Sequence, residues 1–206
     1  MLSRYMENFR KPRGLLGKLV IRMMKTGHAP MTKSVIDKLD IKPDDVCLDV
    51  GCGGGEAVAL MAKTATEVHG VDYSELCVEN TRKRNAQGVR EGRVHVHQAG
   101  ADNLPLAENT FDLATAFETV YFWEHVPESF REILRVLKPG GRFVIVVNAF
   151  RLNDGEVVNF GPAFEAMKPN IYSAAELKSL LEQAGFADSG LIETGLKDCL
   201  CVCAIK

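Results

Sequence analysis

The chain has 206 residues, with 25 Lys and Arg against 27 Asp and Glu, and 46% of it is hydrophobic. These figures fit one globular α/β domain and exclude a disordered, collagen-like or coiled-coil chain. No apolar run approaches the roughly 20 residues that span a bilayer, so no stable membrane insertion is expected.

The charge is unevenly spread. Residues 1–33 hold eight Lys and Arg against Glu7 alone, which leaves the remainder acidic by nine. An acidic body repels phosphate, so a nucleic-acid partner is not expected. In the basic segment Leu15, Leu16, Leu19, Val20, Met23 and Met24 form one face of an amphipathic helix. Lys18 and Arg22 interrupt its apolar cluster, which argues against a secretory signal. A transit peptide, a packing helix, a substrate-covering lid and a membrane-surface helix all share this composition. Gly27 and Pro30 break the chain, and Thr32–Leu39 reads as a second short helix. Residues 1–43 are therefore expected to form a helical cover and 44–206 the main domain.

From residue 46 strands and helices alternate. Val46–Val50 is a strand, Glu56–Lys63 a helix and Glu67–Val71 a strand. Ser74–Gln87 reads as one helix with Ser74 as N-cap, and Arg93–His97 as a strand. Phe111–Phe117 is a strand with little polarity, hence buried on both faces. Phe130, Ile133, Leu134 and Leu137 give a helix that Pro139-Gly140-Gly141 should end, before a strand at Arg142–Val147. Residues 149–172 contain Gly155, Gly161, Pro162 and Pro169 and read as an insertion or lid. Ser173–Ala184 is a helix with a capping box from Ser173 and Glu176, ended by Gly185. Two strands follow, near Leu191–Glu193 and Cys199–Ile205. The alternation predicts a doubly wound, mostly parallel sheet.

The first strand runs into Leu48-Asp49-Val50-Gly51-Cys52-Gly53-Gly54-Gly55-Glu56. Such a turn lets a ligand approach the backbone closely. A phosphate-cradling P-loop needs a Lys after the glycines, and none follows. The dinucleotide spacing fails because Glu56 or Val58 takes the last glycine position, and Asp49 would face a pyrophosphate.

Asp49-x-Gly51-x-Gly53-x-Gly55 resembles the signature of class I S-adenosylmethionine-dependent methyltransferases. His69-Gly70-Val71-Asp72-Tyr73-Ser74, Ala99 to Leu106, Phe111 to Ala116 and Leu137 to Phe143 resemble further motifs of that family. The likeness covers about residues 44–206 and is nearest to the methyltransferase type 11 branch, related to quinone-biosynthesis C-methyltransferases. It implies a Rossmann-like, seven-stranded, mostly parallel sheet with an antiparallel last strand. It implies S-adenosylmethionine as cofactor, with S-adenosylhomocysteine as product, and a small-molecule acceptor. At the glycine loop it points to Asp49, Gly51, Cys52 and Gly53. Asp72 would accept from the ribose hydroxyls, with Tyr73 beside it. Many relatives carry Asp at the position of Gly100, so the adenine role passes to Asp102 and the N–H of Ala101. Ala116 and Glu118 complete the expected cofactor contacts.

Methyl transfer needs alignment more than acid catalysis, so the acceptor is written only faintly in the sequence. Glu118, Tyr121 and His125 leave the end of the fourth strand, and His28 could reach the pocket if the leader folds over it. These four are the catalytic candidates. A non-catalytic S-adenosylmethionine-binding regulator is the alternative reading. His95 and His97 share a strand face, but the sequence offers no third ligand, and no metal is expected. Cys199, Cys201 and Cys203 also alternate and read as packing. The six cysteines form no C-x-x-C pair, which fits reduced thiols in a cytoplasm. Monomer and homodimer both remain open.

Overall fold

The computed structural model describes residues 30–206 apart from 160 and 166. The expected leader helix and His28 lie outside these residues. Helix α1 (30–36) comes first. It is followed by β1 (Val46–Val50), α2 (Glu56–Met61), β2 (Glu67–Asp72), α3 (Glu75–Arg84), α4 (Ala86–Arg90) and β3 (Val94–Gln98). Then come β4 (Phe111–Phe117), a 3-10 turn (Val120–Phe122), α5 (Val126–Val136) and β5 (Leu137–Val147). The last elements are β6 (Phe150–Arg151), β7 (Val157–Val158), α6 (Pro162–Glu165), α7 (Ala174–Ala184), β8 (Asp188–Leu191) and β9 (Leu200–Ile205).

Seven strands form one sheet in the order β3-β2-β1-β4-β5-β9-β8. The pairs β1–β2, β2–β3, β1–β4 and β4–β5 are parallel, and β9 runs antiparallel to both its neighbours. The strand order reverses between β1 and β4, and ligands of such sheets bind outside the strand ends at that switch point. Alternation along β5 feeds two cores. Phe143 and Ile145 face Phe130, Ile133, Leu177 and Leu181 of α5 and α7. Val144 and Val146 face Val35, Val58, Met61 and Val78 of α1, α2 and α3. Cys201 joins the second core, with Cys199 and Cys203 at its edge. No helix among the described residues is long and apolar enough to cross a membrane.

Three local expectations are corrected. The helix predicted over Ser74–Gln87 breaks at Asn85, whose side-chain amide donates to the carbonyls of Gly55 and Thr81 at 3.3 and 2.9 Å. The helix before Pro139 ends at Val136, and Pro139-Gly140-Gly141 lies within β5 as an excursion between its Leu137 and Arg142 pairings. A Cβ at Gly141 would lie 2.9 Å from the Phe111 carbonyl, so the chain crosses there only without a side chain. The strand expected near Leu191–Glu193 ends at Leu191. Residues 149–172 hold the small β6–β7 hairpin and α6.

Candidate active site

The glycine loop leaves β1 at the switch point. Its first two amides, Gly51 and Cys52, both donate to the Val71 carbonyl at 2.7 and 3.0 Å. The Thr81 hydroxyl donates to the Gly53 carbonyl at 3.0 Å, and Asn85 reaches Gly55. Helix α3 therefore pins the loop from behind. Gly51 has φ +81, and a Cβ there would lie 2.8 Å from Cβ of Thr119. At Gly53, with φ +52, a Cβ would meet nothing closer than the Gly51 carbonyl at 3.9 Å. Gly51 is thus closed by packing, while Gly53 presents bare backbone to open space.

Two carboxylates flank this loop. Asp72 ends β2 and accepts from the Gly53 and Ser74 amides, both at 2.9 Å. Burial raises its pKa, and the two amides oppose that rise. Asp49 is 2% exposed and accepts from the Thr115 hydroxyl at 2.8 Å. Burial lifts its pKa to about 7, with the Asp72 charge adding to the rise. Thr115 sits across from Asp49 in the β1–β4 register. It was not foreseen, although a hydroxyl in an otherwise apolar strand was the available signal.

Glu118 turns the chain out of β4 at φ +58, a conformation sparse for non-glycine residues. Its carboxylate accepts from the Tyr121 hydroxyl at 2.8 Å and the Asn148 amide at 2.6 Å. Burial raises its pKa to about 7. The same burial, with the Glu118 charge, raises Tyr121 well above its ordinary range. Trp123 donates through Nε1 to the Thr119 hydroxyl at 3.1 Å, which links the turn to Gly51. Tyr121, Phe122 and Phe164 stack edge to face, with centroids 4.6 to 6.0 Å apart. Asn170 donates its amide to the Tyr121 carbonyl at 2.8 Å, so the 149–172 segment lies against this turn.

The other predicted residues fall in different places. The Cys52 sulfur points inward, 3.5 Å from the Thr81 hydroxyl and beneath Gly70, so only its backbone borders the loop's open side. Ala116 is fully buried in the core. Tyr73 is exposed beside Asp72, Ala101 is half-buried and Asp102 is exposed. A Cβ at Gly100 would lie 2.5 Å from an Asp102 carboxylate oxygen, so Asp102 occupies the space that a side chain at 100 would enter. His125 is exposed at the start of α5, where its carbonyl accepts from the Ser129 amide and hydroxyl while its side chain makes no capping hydrogen bond.

A methyltransferase-domain family model matches residues 48–145. The chain is 31% identical over 161 residues to the O-methyltransferase rstn1 of Aspergillus nomiae, covering 76% of this chain and 70% of that protein. It is 34% identical over 162 residues to an O-methyltransferase of Pyrenophora dematioidea, covering 76% of this chain and 59% of that one. Phosphoethanolamine N-methyltransferase 1 of Triticum aestivum matches at 33% over 167 residues, or 80% of this chain and 33% of that protein. The chain thus spans less than two thirds of the length of several curated relatives. Among solved structures, an S-adenosylmethionine-dependent methyltransferase of Aquifex aeolicus superposes with a TM-score of 0.73 at 24% identity, covering 90% of this chain and 96% of that one. The [4+2]-cyclase SpnF superposes at 0.70 and 21% identity, covering 88% and 81%, so the same fold carries another named activity. Fold alone would leave the assignment open; with relatives matched at this identity, the chain belongs to the class I S-adenosylmethionine-dependent methyltransferase family.

Proposed function

We propose that this chain binds S-adenosylmethionine across the Gly51–Gly55 loop and transfers its methyl group to a small-molecule acceptor. The observation that carries this reading is the pair of buried carboxylates, Asp49 and Asp72, on a glycine loop at the switch point. A buried carboxylate needs partners, and a phosphate is the wrong one. Asp49 accepts one side-chain hydrogen bond among the described residues, although a carboxylate has about four acceptor positions. A ligand with an ammonium group, ribose hydroxyls and no phosphate fits both acids.

The cofactor would supply a methyl carbon made electrophilic by a positive sulfonium. Asp49 faces the ammonium end in this reading. Asp72 keeps its two amide donors and accepts ribose hydroxyls with its remaining lone pairs. Gly53 offers close backbone approach. Asp102 and the Ala101 N–H take the adenine edge. Glu118 and Tyr121 act as a positioning pair, because their mutual hydrogen bond fixes the corner that aims Thr119 at Gly51. The aromatic wall of Tyr121, Phe122 and Phe164 forms one side of the acceptor pocket, with 149–172 as its lid. Residues 1–43 would cover the 44–206 domain. All six thiols are free, which fits a reducing compartment such as the cytoplasm.

Calorimetry tests the reading. One equivalent of S-adenosylmethionine should bind, and Asp72→Ala should weaken it by about 10- to 100-fold, the scale of hydrogen bonds to a charged group. Absence of heat at millimolar ligand overturns the proposal. Binding without transfer of labelled methyl to a panel of phenols, amines and carbon acids would favour the regulatory alternative.

A further inference from the structure

The residues of β2 and β3 that the proposed reaction does not use form a cluster of their own. Glu67 and His69 are alternate residues of β2 and so share a face of the sheet. His95 lies directly across from His69 in the parallel register, and His97 follows on the same face of β3. Glu67 Oε1 stands 2.7 Å from His69 Nε2 and 3.1 Å from His95 Nε2. One ligand atom from each residue lies within 4.8 Å of the other two. His95 and His97 alone suggested a chelating pair without a third ligand; the neighbouring strand supplies both an imidazole and a carboxylate.

We propose that Glu67, His69 and His95 form a binding site for a divalent transition metal of the Zn2+ class. Two imidazoles and a carboxylate suit Zn2+ and its neighbours better than Ca2+ or Mg2+, which take oxygen ligands. Tetrahedral Zn2+ with ligands near 2.0–2.1 Å requires neighbouring donors about 3.4 Å apart. To meet that spacing the Glu67–His69 contact opens by about 0.7 Å and the Glu67–His95 contact by about 0.3 Å, while the two imidazole donors, now within 4.8 Å, draw together by at most about 1.4 Å through side-chain rotation. The Glu67 and His95 side chains are 40% and 39% exposed, so the site is reachable and a fourth position is open to water.

The second argument comes from the other nitrogen of His69. Metal-bound histidines almost always donate their remaining N–H to an acceptor, which fixes ring and tautomer. His69 Nδ1 lies 3.1 Å from His97 Nε2, and the two rings are within 15° of parallel. Metal at Nε2 puts the proton on Nδ1, where His97 accepts it. The protons displaced from the site leave to solvent. The Phe111 ring packs nearly perpendicular to the His69 ring, with centroids 5.1 Å apart, and holds it in place.

Glu67 opens β2 and Asp72 closes it, so at ~3.3 Å per residue the ligands His69 and Glu67 stand about 10 and 17 Å along the strand from the Asp72 end. The metal would clip edge strand β3 to β2 without touching the cofactor edge. This inference does not rest on the proposed reaction.

The test uses the full chain, stripped with a chelator and titrated with Zn2+ against a chromophoric competitor. One equivalent should bind, and Glu67→Gln and His95→Asn should each weaken it at least 10-fold. His97→Asn should weaken it by about 10- to 100-fold, as outer-shell partners do. Zn2+ should raise the melting temperature of the wild type and not that of His95→Asn. Co2+ should give a nitrogen–oxygen ligand-field spectrum. A thiolate charge-transfer band, an unchanged affinity in Glu67→Gln and His95→Asn, or no binding at all overturns the proposal. Both substituted side chains are well exposed, so these variants are expected to fold, and S-adenosylmethionine affinity in His95→Asn should match wild type.

Discussion

At Gly51 a lone hydrogen stands where any other residue would drive a carbon into Thr119. Gly51→Ala is expected to destabilise the chain by about 2–4 kcal/mol, from the clash and from about 1–2 kcal/mol of left-handed backbone cost. Urea denaturation measures it; adding Thr119→Ala should restore only the part owed to the Thr119 hydroxyl and methyl, because Cβ of residue 119 stays 2.8 Å away. Asp49 and Glu118 give the chain an acid-favouring component. Their folded pKa values, about 7 each, stand above the ordinary 3.8 and 4.5. Between about pH 4 and 7 the folded state therefore holds more protons than the unfolded one. Stability falls as pH rises through that window and levels off above it. The penalty is at most about 4 kcal/mol for Asp49 and about 3 kcal/mol for Glu118. Asp49→Asn and Glu118→Gln should gain stability relative to wild type between pH 5 and pH 8, read from urea midpoints. An unchanged difference would mean that these acids titrate as they do in the unfolded chain. Glu118 was legible as a candidate because an acid at the end of an apolar strand needs a partner, and Asp49 because it stands in the signature of the glycine loop. Their partners Thr115 and Asn148 were not, since strand register and tertiary contact choose them.

Helix α7 shows what a single element can disclose. Ser173 accepts from the Glu176 amide at 3.2 Å, and Glu176 accepts from the Ser173 amide at 2.7 Å. Leu177 and Leu181 carry the buried stripe, and Gly185 at φ +106 ends the helix. Each of these features is local, and each was readable from the residues alone. Ser173→Ala should cost about 1 kcal/mol, measured by equilibrium denaturation, because it leaves the first-turn amides without their cap. Helix α3 shows the opposite case. No residue between Ser74 and Gln87 forbids a continuous helix. The break at Asn85 comes from a side chain recruited to Gly55, 30 positions away in the chain. The Pro139-Gly140-Gly141 segment misled for a related reason. It looks like a helix stop, yet its glycine clears the Phe111 carbonyl on the adjacent strand.

For the whole molecule, regular strand–helix alternation was enough to give a doubly wound, mostly parallel sheet, while the reversed strand came from the family resemblance. The candidate site was legible along the first four strand ends, where glycines and acids sit close in sequence. The proposed acceptor side joins the turn after β4 to Phe164 of α6, which lie far apart in the chain. Phe164→Ala tests that assembly. It should raise the acceptor KM by about 3- to 10-fold, the worth of losing one aromatic wall. S-adenosylmethionine affinity should stay within about twofold. Equal losses in both would mean that the segment supports the loop rather than the acceptor.

The position of β9 has a consequence for how the chain is made. Strand β5 pairs with β4 on one side and β9 on the other, and Val144, Ile145 and Val146 are fully buried. Its β4 side has a partner as soon as Val147 is synthesised. Its other side has none until Leu200–Ile205 emerge. While residues 148–199 are translated, the nascent chain carries an open, strongly apolar strand edge. Such edges template pairing between neighbouring chains. Pauses within 148–199 should therefore lower the yield of folded protein without altering its stability once formed.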